Sequence, residues 1–80
     1  MRPEPPRGRD ARAIDSALAR ADAERAAGRP VQAVALYGEV LRLAPEHPAA
    51  LHRLGLMAHQ SGYHEAALGL FDRALAVQPD

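Results

Sequence analysis

Four histidines, His47, His52, His59 and His64, are the residues best able to do chemistry in this 80-residue chain. An imidazole can ligate a metal or move a proton near neutral pH. On a helix His52 and His59 lie two turns apart, which separates their Cα atoms by about 10 Å. Ligand bonds near ~2.1 Å would then require the two side chains to converge from separate turns. His47 falls in a turn and His64 opens a different helix, so the histidines are expected to face solvent and no metal site is expected. Serine occurs only at Ser16 and Ser61, neither in a nucleophile-elbow context, and there is no cysteine to supply a thiolate. A glycine-rich phosphate loop is also missing. The residues contain no catalytic constellation and call for no cofactor, so the chain reads as a non-enzyme.

Composition narrows the partners. Ten arginines balance ten acids and lysine is absent, for a formal net charge of +0. That balance provides no general attraction to nucleic acid or anionic membrane, and two tyrosines with one phenylalanine offer little for stacking bases. No apolar run approaches the ~20 residues that span a bilayer. The start, MRPEPPRGRD, lacks the apolar segment of a secretory signal. Freedom from cysteine suits a reducing compartment, so a cytoplasmic location is expected. Eighteen alanines favour helix, and no alternating pattern suggests a strand. A chain of this size buries only about 60–65% of the surface its unfolded form exposes, which makes for a thin core.

The elements follow from apolar spacing and chain breakers. Residues 1–10 are rich in proline and arginine and are expected to form a disordered tail, with Asp10 as the N-cap of the first helix. Ile14, Ala17, Leu18 and Ala21 mark a narrow stripe on a helix over about 11–27, which Gly28 stops in a left-handed conformation. Pro30 suits the first turn of a second helix over 31–44. There Ala33, Leu36, Tyr37, Val40 and Leu43 form a broad band, widened by Val34 and Leu41. Gln32, Ala35, Glu39 and Arg42 are left as the solvent strip. Such breadth predicts a helix covered from two sides. A third helix starts at Pro48 and carries Leu51, Leu54 and Ala58 before Gly62 breaks it. A fourth carries Ala67, Phe71 and Ala74, and Pro79 ends it. Gly55 and Ala67 permit close approach of the last two helices, while Leu51, Leu54 and Phe71 fill the space beside them.

Leu51, Leu54-Gly55, Gly62, Ala67, Phe71, Ala74 and Pro79 stand in an order that resembles the tetratricopeptide repeat, with Ala58 where a third large residue is usual. Shifting the chain by 34 residues, the period of that family, places Gly28 on Gly62, Ala33 on Ala67, Tyr37 on Phe71 and Pro45 on Pro79. The second helices match well. The first helices do not, since Ala17, Arg20 and Ala21 stand where Leu51, Leu54 and Gly55 recur. The resemblance implies an all-α, right-handed α-solenoid segment over residues 11–80, made of two helix-turn-helix repeats. Repeat one, 14–47, would be degenerate, as terminal repeats often are, and repeat two, 48–80, regular.

That resemblance also implies a function. The family binds a protein or peptide along a concave groove lined by the first helix of each repeat. The matching groove positions are Leu18, Asp22 and Arg25 on the first helix and His52, Leu56 and His59 on the third, with Arg53 at the edge. Members that clamp a C-terminal carboxylate carry Lys and Asn where this chain has Leu18, Asp22 and Arg53. The asparagine ladder of O-linked glycosyltransferase superhelices would fall on Ala19 and Arg53. Neither device is expected here. The expected role is a protein-interaction scaffold with no catalysis of its own. The alternative is the N-terminal repeat portion of a larger bacterial enzyme, because residues 36–62 resemble repeats that precede glycosyltransferase and sulfotransferase domains. Leu68, Leu75 and Val77 spread beyond the inner face of the fourth helix. Exposed apolar surface is therefore expected there, open to self-association.

Overall fold

Gly28 and Gly62 have φ of +76° and +88°, a backbone conformation that a Cβ disfavours. Each closes a helix with the same bonds. Gly28 N–H donates to the Arg25 carbonyl (3.1 Å) and Arg29 N–H to that of Glu24 (2.9 Å). In the second repeat Gly62 N–H donates to His59 (3.0 Å) and Tyr63 N–H to Ala58 (2.8 Å). Carbonyls left over at the helix end are satisfied in this way. Helix starts are set by Pro30 and Pro48 in the first turn, and by His47, whose Nδ1 accepts the Ala50 N–H at 3.3 Å.

The computed structural model describes residues 8–77 as four helices: α1 (Gly8–Ala26), α2 (Pro30–Leu43), α3 (Pro48–Gln60) and α4 (His64–Val77). The ends of α2 recur in α4 at the 34-residue shift, and so does the end of α1 in α3. The start of α1 differs from expectation. Asp10 lies inside its first turn rather than capping it, and an acid anywhere in that turn favours the helix dipole. Residues 8–10 of the expected tail are therefore helical. Residues 1–7 and Pro79 lie outside the described residues.

α2 packs between α1 and α3, and α4 packs on α3. The core joins Ile14, Ala17 and Ala21 of α1 to Ala33, Tyr37 and Val40 of α2 and to Ala50 and Met57 of α3. α2 is thus covered from two sides, although Val31 and Val34 stay exposed. α3 carries two stripes. Ala50, Leu54 and Met57 meet the α2 core, whereas Gly55 faces Phe71 of α4. Leu51, one turn before Gly55, is buried, and Ala58 is half-buried. Met57 therefore supplies the bulk that Ala58 lacks. On α4 only Ala67 is buried, and Phe71 and Ala74 are half-buried. Leu68 is 62% and Leu75 57% exposed, so the outer face of α4 is apolar and open. Half of the ten buried apolar side chains among the described residues are alanine. Each contributes little transfer energy, and stability rests on close backbone approach.

Candidate functional site

The polar groove positions separate into three groups. Asp22, Arg25 and Arg53 meet in one hydrogen-bonded network, and the residue that joins them is Tyr37. Helical spacing from Ala21 turns Asp22 to the edge of the α1–α2 contact. Tyr37 reaches the same edge because its ring is fully buried among the α1 and α2 alanines. Its hydroxyl donates to Asp22 Oδ1 (2.5 Å) and accepts from Arg25 Nε (3.2 Å). The other carboxylate oxygen accepts from Arg53 Nη1 at 2.8 Å, which ties α1 to α3 across the repeat boundary. Both side chains of that ion pair are 34% exposed. Water screens such a pair, and about 0.2–1 kcal/mol is its usual contribution. It joins the first helices of the two repeats directly. Burial, then donation to Asp22, pushes the Tyr37 phenol above its usual 10.0, while the Arg25 guanidinium opposes that rise. Among the described residues no buried side-chain polar atom lacks a partner.

His52 forms the second group. Its ring lies tilted against Phe71, with centroids 5.7 Å apart. Together they border an open hollow of about 880 Å³ between the start of α3 and the end of α4. His47, His52 and Arg53 form one wall, and Phe71, Ala74 and Leu75 form the apolar opposite wall. His59 belongs to the third group and turns toward His64, with Nδ1 atoms 3.0 Å apart. Leu56 is exposed, whereas Leu18 is half-buried against the core and serves packing as much as the surface.

Sequence reading missed Tyr37 as part of this surface, because an aromatic in an apolar band reads as core. A hydroxyl needing a partner beside an alanine-rich helix is the signal that could have found it. It also set His64 apart from His59 because they lie on different helices. A turn of three residues, 61–63, brings them together.

A family model described as tetratricopeptide repeat matches residues 18–80. Among curated proteins and solved structures, none matches the chain. Repeats of this family generally serve as protein-interaction modules. The match covers most of the chain, both left-handed glycine turns and all of α2, α3 and α4. The chain belongs to the tetratricopeptide repeat family.

Proposed function

We propose that the chain binds a segment of a partner protein across a surface centred on α3 and flanked by α1 and α4, with binding rather than catalysis as its role. The observation that carries this reading is the open hollow beside His52. It pairs a wall of hydrogen-bond donors, Arg53 foremost, with an apolar wall of Phe71, Ala74 and Leu75. An apolar anchor flanked by an acidic group suits such a place, since the anchor is desolvated while the charge stays at the wet rim. The Asp22–Arg53 pair supports it by linking α1 to α3 along that surface. A cysteine-free, charge-balanced chain suits the cytoplasm. The test is capture of a partner by the full chain, followed by affinity measurements with His52→Glu and Leu56→Glu. Both residues are exposed, so helicity should be unchanged while binding of the captured protein falls. Affinities equal to wild type for both variants would place the site elsewhere.

A further inference from the structure

The geometry points to a metal site at the α3–α4 turn: the Nδ1 atoms of His59 and His64 form a two-nitrogen chelate for a divalent transition ion, copper(II) foremost. The two nitrogens are 3.0 Å apart, with ring centroids at 4.8 Å and planes 62° apart. In the free chain one Nδ1 holds a proton that the other accepts. An ion takes the place of that proton, which moves to Nε2 of the same ring, so both imidazoles remain neutral ligands.

The separation suits a tetragonal ion. Metal–imidazole bonds of about 2.0–2.1 Å across this gap subtend roughly a right angle at the metal. Neighbouring positions of a tetragonal centre have that angle, which copper(II) and nickel(II) adopt. A tetrahedral zinc site would need the nitrogens spread to about 3.4 Å. Copper(II) also binds most tightly of the divalent series to a given set of nitrogen ligands. No group of three or more metal-ligating side chains converges among the described residues. Water therefore completes the coordination, and the ion is exchangeable.

The turn is built before the ion arrives. Ser61, Gly62 and Tyr63 N–H groups are all bonded back into α3, and Gly62 holds φ +88°. The pairing is not a demand of the turn itself. In the first repeat the same backbone bonds occur with Arg25 and Pro30 at the positions of His59 and His64. The other histidines are differently engaged: His47 Nδ1 caps α3, and His52 lies against Phe71. A bound ion would tie the first residue of α4 to the last turn of α3. That is where a clamp has most effect, because Ala67 is the one buried residue of α4 among those described.

Titration of the full chain with copper(II) alone, in a non-coordinating buffer, tests the site. We expect one equivalent bound, an electron paramagnetic resonance spectrum showing two imidazole nitrogens, and a raised melting midpoint. His59→Ala and His64→Ala should each abolish that equivalent and the midpoint rise, while His52→Ala keeps both. Circular dichroism of the metal-free variants confirms that they fold, and His64→Asn serves if His64→Ala does not. Binding by wild type no tighter than by the double variant means an adventitious ion only and overturns the site. Loss of binding in His52→Ala does the same. Zinc(II) bound as tightly as copper(II) overturns the right-angle geometry.

Discussion

Gly55 is where the α3–α4 contact can be measured most directly. A Cβ added there would lie 2.7 Å from Cε1 of Phe71, 2.9 Å from Cδ1 and 3.2 Å from Cζ. Those distances are inside van der Waals contact, so the ring must move out of its place beside His52. Alanine also favours a helix over glycine, by about 1 kcal/mol at an interior position. The two effects oppose each other, and a control separates them. Gly69 on α4 is also helical, but a Cβ there meets nothing within 4 Å. Gly69→Ala should therefore stabilise by most of the propensity gain. Gly55→Ala should fall below it by the cost of overpacking, about 1–3 kcal/mol. In a domain of this size each kcal/mol moves the melting midpoint by about 4–8 °C, so the two variants should differ by at least about 4 °C. Thermal melts followed by circular dichroism read the difference. In a Phe71→Ala background the penalty at Gly55 should vanish, because the atoms it strikes are gone. Equal stabilisation by Gly55→Ala and Gly69→Ala would refute the close contact. Phe71→Ala itself should cost less than the about 3–5 kcal/mol of a fully buried ring, since this one is half-buried.

Two further predictions concern the Tyr37 network and the outer face of α4. Tyr37→Phe removes a hydroxyl that donates to Asp22 and accepts from Arg25, and denaturant titration should show a loss of about 0.5–1.5 kcal/mol. The folded-state phenol is raised above 10.0, so its contribution is full below pH 10 and is lost as pH rises through the folded value. That alkaline loss should be smaller in Tyr37→Phe, and identical pH profiles would contradict the burial argument. The exposed Leu68 and Leu75 should make the chain self-associate, with a melting midpoint that rises with concentration. Leu68→Glu with Leu75→Lys should flatten that dependence, and a wild-type midpoint that ignores concentration would argue against it.

Local chemistry alone determined the framework of this chain. Gly28 and Gly62 end helices because a left-handed turn needs no neighbour beyond the adjoining carbonyls, and Pro30 and Pro48 start them for an equally local reason. The 34-residue shift was legible for the same cause, as both turns and both second helices obey one set of short-range rules. Tertiary structure decided what those rules leave open. Both Ala58 and Met57 fit a helical stripe on α3, and only the position of α2 selects Met57 for the core. Asp22 and Arg53 are 31 residues apart, and their pairing depends on how α1 and α3 cross. Tyr37 could join them only because packing against small alanines carries its hydroxyl to the edge. His59 and His64 are near in sequence, yet their approach depends on how the turn aims two helices, a property of the three-dimensional path rather than of spacing.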